Sequence, residues 1–287
     1  MSEHHNRHMS GQVVVITGAS SGIGAAAARL LAAQGAHIVP VGRSPERTAQ
    51  LAAAVNAEPV FADFADLAQV RRAARVILDR CPRIDVLVNN AGAVLPTRQL
   101  TVDGNEMTLQ INHLAPHLLT TLLLPRLLSS GTPSRPARIV STSSSGSRWM
   151  MADPEDLQWE RRRYGRGLQA YSTAKLITRI ITAELARRVH GENIHVSAVH
   201  PGVVRTRFGA EHPTWSGLVR PISGFFLTPE QGADPLVRLA AAPRGTSGTY
   251  FHRRREGRPH RQVGDTRLAD RLWRISETLL GARSGSE

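Results

Sequence analysis

The chain has 287 residues, 41% hydrophobic and only 5% aromatic, with a formal net charge of +13 at pH 7. This is enough apolar residue to build one large core, yet no apolar run reaches the ~18 residues of a membrane span. Cys81 is the single cysteine, which excludes an intrachain disulfide and fits a reducing, cytoplasmic setting. Much of the charge lies at Arg161–Arg163, at Arg253–Arg255 and at Arg258 with His260 and Arg261. These clusters lack the interleaved aromatics or reading motif of a nucleic-acid binder, so they read as solvated surface and no nucleic-acid partner is expected.

Residues 1–11 are polar, with His4, His5 and His8 and no apolar signal core, and are expected to form a disordered tail. Gln12–Thr17 is a short β-branched run ending in glycines, the pattern of a buried strand. Ile23–Gln34 is rich in alanine and leucine and stops at Gly35, as a helix with a glycine cap does. His37–Val41 predicts the next strand, and Pro45–Val55 a helix with Ser44 as N-cap. Pro59–Ala62 is a short strand, Leu67–Arg80 an amphipathic helix, and Ile84–Val88 an apolar strand closed by Asn89-Asn90-Ala91-Gly92. A long helix is expected from about Gly104 to Leu128, a strand at Arg138–Thr142, a long helix at Leu168–Val189 and a strand at Ile194–Val199. Pro229–Ala241 reads as a helix, Thr249–Phe251 as a short strand, and Thr266–Leu280 as a helix with an apolar stripe at Leu268, Leu272, Ile275 and Leu279.

This β-α-β-α rhythm predicts an α/β fold. A single domain, residues 12–265, forms a doubly wound parallel sheet with helices on both faces, and residues 266–287 form a C-terminal amphipathic helix and tail. Two stretches break the rhythm: 145–167, with Trp149, Met150, Met151 and Trp159, and 207–227, with Trp215, Phe225 and Phe226. Both follow strands at their carboxyl ends, where open α/β sheets bind ligands, so they are expected to be substrate loops. Ordinary packing under long loops is the competing reading of their large side chains.

Thr17-Gly18-Ala19-Ser20-Ser21-Gly22-Ile23-Gly24 joins the first strand to the first helix. Its glycines let the backbone turn tightly and approach a pyrophosphate, which the helix N-terminus favours. An acidic residue after the second strand would bind a ribose 2′-hydroxyl, but this chain has Gly42, Arg43 and Ser44 there. Arg43 suits a 2′-phosphate, so the expected cofactor is NADP(H). Of the 36 cationic side chains one alone is lysine, Lys175, four residues after Tyr171. On a helix the two would share a face, and a cation there would lower the phenol's pKa and ready it as a proton donor. A codon left behind by a genome-wide arginine bias is the other reading. No clustered Cys/His pattern suggests a catalytic metal.

Taken in order, these motifs resemble the short-chain dehydrogenase/reductase family over almost the whole chain. They are Thr17 to Gly24, Asn89 to Gly92, Asn112, a serine after Arg138-Ile139-Val140, Tyr171 with Lys175, and Pro201-Gly202 with Thr206. Thr101 to Glu106, Asn112 to Thr120 and Ser247 to Phe251, with Arg271-Leu272-Trp273, resemble the retinol-dehydrogenase and WW-domain-oxidoreductase branch. The arginine bias suggests a bacterial member.

The resemblance implies a Rossmann-type fold and roles for particular residues. Tyr171 would exchange the proton, and Lys175 would bind the nicotinamide ribose. Asn112 would hold a proton-relay water, and Ser144, with Ser143 as the alternative, would polarise the carbonyl. The cofactor set would be Thr17, Gly18, Ser20, Ser21, Gly22, Ile23, Gly24, Arg43, Ser44, Asp63, Phe64, Asn90, Ala91, Gly92, Tyr171, Lys175, Pro201, Gly202, Val204 and Thr206. The expected activity is NADP(H)-dependent interconversion of a bulky lipophilic ketone or aldehyde and its alcohol, in bacterial secondary metabolism. A non-redox tailoring step and a cofactor-sensing binding protein are the alternatives. The family's usual pairing surfaces are its two long helices, so a homodimer or homotetramer is expected. The branch's N-terminal membrane anchor is missing from this sequence, and the terminal helix is expected to dock as a lid over the active site.

Overall fold

The computed structural model describes residues 8–204, 226–242, 245 and 247–281. β1 (Val13–Thr17) is followed by α1 (Gly22–Ala33), β2 (His37–Gly42), α2 (Pro45–Ala54), β3 (Val60–Phe61), α3 (Leu67–Arg80) and β4 (Val86–Asn89). The second half holds α4 (Met107–Leu109), a π-helical turn (Gln110–Leu114), α5 (Ala115–Ser130), β5 (Ala137–Thr142), α6 (Leu168–Arg188) and β6 (Ile194–His200). After these come α7 (Pro229–Ala241), β7 (Thr249–His252), β8 (Arg255–Glu256) and α8 (Thr266–Gly281).

Among the described residues one sheet runs in the order β3-β2-β1-β4-β5-β6-β7-β8. All its pairs are parallel except the short β7–β8 pair. The apolar runs of β1 and β4 follow from this placement, because a central parallel strand is covered on both faces. One face buries Leu31 of α1 and Leu236 of α7. The other buries Val70 of α3, Leu123 of α5, Ile180 of α6 and Leu272 of α8. Chain order reverses between β1 and β4, which opens a crevice at the carboxyl ends of these strands.

Side chains at several helix starts satisfy the open N–H groups there. Ser44 and Asp66 cap α2 and α3 with side-chain oxygens. The helix expected from Gly104 starts at Met107, because the Glu106 carboxylate accepts from the Thr108 and Leu109 N–H groups and fixes the start there. The 145–167 stretch contains short 3-10 turns at Ser145–Trp149, Pro154–Asp156 and Gly165–Gly167.

Two expectations are corrected. Residues 8–11, assigned to a disordered tail, form a turn: Met9 is fully buried and its N–H donates to the Gln34 carbonyl at 3.1 Å. The terminal helix is not a lid, since none of its residues lines the crevice among the described residues. Instead α8 packs against α6, the π-helical turn and the start of α5, part of the surface expected for pairing. There Trp273 meets His117 edge-on at 4.6 Å, Ser276 Oγ lies 2.7 Å from His113 Nε2, and Arg188 stacks 4.1 Å above the Trp273 ring. A 16-residue amphipathic helix gains more from this apolar face than from a wet cleft mouth.

Candidate active site

The crevice has a volume of about 750 Å³ and runs from Arg43 past Gly18 and Asn90 to Tyr171. Its floor is built by hydrogen bonds between the ends of β1 and β4. Thr17 Oγ1 accepts from the Asn90 and Ala91 N–H groups, both at 3.0 Å, and Asn90 Nδ2 donates back to the Thr17 carbonyl at 3.0 Å. Gly18 and Gly24 are demanded by contact. A Cβ on Gly18 would lie 2.9 Å from Ala91 Cα, and one on Gly24 would lie 2.3 Å from the Gly18 carbonyl oxygen. Ser21 precedes α1 without any side-chain cap, so the first N–H groups of that helix are left open to the crevice. This is the donor set an anionic pyrophosphate needs, and the cradle fits it.

Arg43 is exposed at the far end, after β2. Sequence reading missed its neighbour Arg47, one turn along α2, which also lines the crevice. Arg47 Nε is buried without a hydrogen-bond partner. The i, i+4 spacing from Arg43 was the available signal. An orphaned guanidinium nitrogen beside an exposed arginine fits a phosphate group. Asp63 and Phe64 line the same end, with Asp63 Oδ1 accepting from the Ala65 N–H.

At the other end Ser144 follows β5 and Tyr171 and Lys175 lie on α6. The Ser144 hydroxyl is hydrogen-bonded to the Tyr171 phenol. Ser143 also lines the crevice, and its Oγ donates to the Lys175 carbonyl at 2.9 Å. Lys175 is 3% exposed, and its Nζ sits 5.7 Å from the Tyr171 ring centroid.

The expected lowering of the tyrosine pKa is not found. Burial pushes the Tyr171 phenol well above its ordinary value, against a smaller downward pull from Ser144. Burial likewise pushes the Lys175 ammonium down, to about 8. Removal from water disfavours both charged forms.

Asn112 lies in the π-helical turn and supports the site from behind. Its Nδ2 donates to the Ala93 and Thr108 carbonyls at 2.7 and 2.8 Å, and its Oδ1 accepts from the Ala93 N–H at 3.3 Å. It thus pins the loop that follows Asn90-Ala91-Gly92. Ser20, Gly22, Ile23, Asn90, Ala91, Gly92, Pro201 and Val204 line the crevice as expected. Thr17, Gly24, Ser44, Asn112 and Gly202 do not line it: they shape it or, like Ser44, cap a helix. Thr206, Trp215 and Phe225 lie outside the described residues.

His200, unpredicted, also lines the crevice, and burial beside His252 lowers its pKa to about 4. Val94, Leu95, Pro96 and Ile111 add an apolar wall that no sequence motif marked. Trp149 is 71% exposed and Met151 39%, whereas Trp159 is buried against the Arg162 guanidinium. Packing therefore accounts for Trp159 but not for Trp149.

A dinucleotide-sized crevice at a sheet switch point, ending in a serine, a phenol and an ammonium, defines an oxidoreductase of carbonyl and hydroxyl groups. The chain belongs to the short chain dehydrogenase family, whose family model matches residues 12–153. It is 41% identical to a Streptomyces sp. (strain C5) protein assigned as a daunorubicin C-13 ketoreductase, covering 95% of this chain and 94% of that one. It is 37% identical to retinol dehydrogenase 14 of Mus musculus, covering 95% and 87%. Among solved structures, an uncharacterised protein of Mycobacterium paratuberculosis superposes with a TM-score of 0.77 at 32% identity, covering 95% and 94%. Pseudomonas aeruginosa RhlG with NADP gives 0.71 at 25% identity, covering 87% and 97%.

Proposed function

We propose that the protein is an NADP(H)-dependent carbonyl reductase or alcohol dehydrogenase acting on a bulky lipophilic ketone, aldehyde or alcohol, in bacterial secondary metabolism. The observation that carries the reading is one crevice with Ser144, Tyr171 and Lys175 at one end and Arg43 with Arg47 at the other. The relatives support its terms: one is assigned to ketoreduction of daunorubicin and one is solved with NADP.

NADP(H), when bound, supplies or takes the hydride. The Gly18–Gly24 cradle and the open α1 N-terminus would hold its pyrophosphate. Arg43 and Arg47 would hold the 2′-phosphate, and Asp63 with Phe64 would flank the adenine. Asn90, Ala91, Gly92, Pro201 and Val204 would line the nicotinamide side, and Lys175 would bind its ribose.

The Ser144 hydroxyl orients the substrate oxygen and shares its developing charge. Tyr171 holds its proton firmly because its phenolate is disfavoured by burial, so in the reducing direction it meets substrate protonated. Its proton goes to the substrate oxygen, and Lys175 then balances the phenolate left behind. Asn112, by fixing Ala93, keeps the crevice wall in register. The apolar wall Val94-Leu95-Pro96 favours a lipophilic substrate.

Fluorescence titration tests the cofactor assignment. NADPH should bind about 10–100-fold tighter than NADH, a gap of the size a charge-assisted phosphate pair gives. Arg43→Ala should close most of that gap. Tighter NADH binding in the natural chain would overturn the assignment. For assembly we infer a homodimer or homotetramer joined elsewhere than the outer face of α5 and α6, which α8 covers. Light scattering of Trp273→Ala should show no loss of the assembly; dissociation would put the interface at α8.

A further inference from the structure

A second cavity, about 470 Å³, lies between α6, β7 and the 256–264 segment, and it shares no lining residue with the crevice. Its inner wall is Arg179, two turns beyond Tyr171 on α6 and only 3% exposed. The guanidinium stacks 3.8 Å above the Tyr250 ring. It donates to Ser147 Oγ at 3.3 Å and to the Arg258 carbonyl at 3.0 Å, while its Nε is buried with no partner at all. None of these partners is an anion. A guanidinium cannot shed its proton at any ordinary pH, so this is a buried cation without a counter-charge among its contacts, an unfavourable arrangement by itself.

The rest of the lining has the same sign. Arg258 and Arg261 stand at the rim with His260, and Glu256, exposed, is the single carboxylate among the residues lining the cavity. A cavity of this kind attracts an oxyanion, and the planar fork of arginine matches carboxylate and phosphate alike.

We propose that this cavity is a second ligand site, taking the phosphate or carboxylate group of a small anionic molecule on Arg179, with Arg258 and Arg261 closing over it. The site is coupled to the catalytic end by direct contacts. Arg179 holds Ser147, whose Oγ donates to the Ser144 carbonyl at 2.6 Å, and Ser144 in turn bonds Tyr171. The 258–264 segment is also tied to the 145–167 loop: Gln262 exchanges two hydrogen bonds with the Ala152 backbone, at 2.8 and 2.9 Å. Occupancy therefore acts on the segment that carries Trp149 and Met151. The proposal does not depend on which substrate the crevice takes.

Equilibrium dialysis with radiolabelled inorganic phosphate tests it, using an Arg43→Ala/Arg47→Ala background with excess NAD+ so that neither the arginine end nor the Gly18–Gly24 cradle of the crevice competes. About one equivalent should be retained, with affinity falling ~10-fold or more in Arg179→Met, the loss of a charge-assisted contact. Arg258→Gln/Arg261→Gln, which alters only exposed side chains, should weaken retention severalfold and carries the test should Arg179→Met fail to fold. A parallel arm with succinate distinguishes the sources: preferential succinate binding names a carboxylate ligand, preferential phosphate binding a phosphorylated one. No retention of either anion, or retention unchanged in both variants, overturns the proposal.

Discussion

Tyr171 and Lys175 sit one turn apart on α6, and burial sets the proton affinity of each. Lys175, held at about 8, carries its charge at neutral pH and loses it as pH rises. Tyr171 stays protonated throughout that range. Carbonyl reduction should therefore be level up to about pH 8 and decline above it, as the ammonium that balances the departing proton is neutralised. A pH–rate profile of kcat/KM checks this, and a rise above pH 8 would contradict it. Lys175→Arg keeps a cation but cannot fit a forked group into a site only 3% exposed, so turnover should fall ~100-fold or more. Near-normal turnover would make the solitary lysine a codon remnant after all. Residue identity was legible here because the chemistry forces residue types at fixed spacings. What spacing could not give was depth: Tyr171 with Lys175 suggested a lowered phenol pKa, and burial reverses that sign.

At the scale of elements, α8 rests on two buried histidines. His113, bonded to Ser276, has its pKa held well below the ordinary imidazole value, and that of His117, against Trp273, is lowered to about 4, both chiefly by burial. The unfolded chain takes up protons near ~6.5 and the folded chain only lower, so the unfolded state binds more protons between these values. This contribution to stability is complete above about pH 6.5 and is lost as pH falls towards about 4, His117 alone accounting for roughly 3 kcal/mol. Thermal melting followed from pH 7 to pH 4 should show this drop, and His117→Phe should flatten it. An equal drop in the variant would place the acid sensitivity elsewhere. Element positions were readable because strand runs and caps such as Ser44 act locally. The docking of α8 was not, since its stripe of Leu268, Leu272 and Ile275 says that it packs but not against what.

In the molecule as a whole, one sheet gives two opposed ends to one crevice. The end of β2 brings Arg43, the end of β5 brings Ser144, and α6 returns Tyr171 and Lys175 beside Ser144. The ordered motifs made this crevice legible, while Arg47, His200 and the Val94–Pro96 wall became visible only once the chain was folded. They belong to no motif and are recruited by proximity alone. The measurement that bears most directly on the account is NADPH oxidation by the natural chain and by Tyr171→Phe, across ketones from small and polar to bulky and lipophilic. The natural chain should turn over the bulky lipophilic ketones fastest, and Tyr171→Phe should lose ~10²–10⁴-fold in kcat while still binding NADPH. Undiminished turnover in Tyr171→Phe would contradict the account.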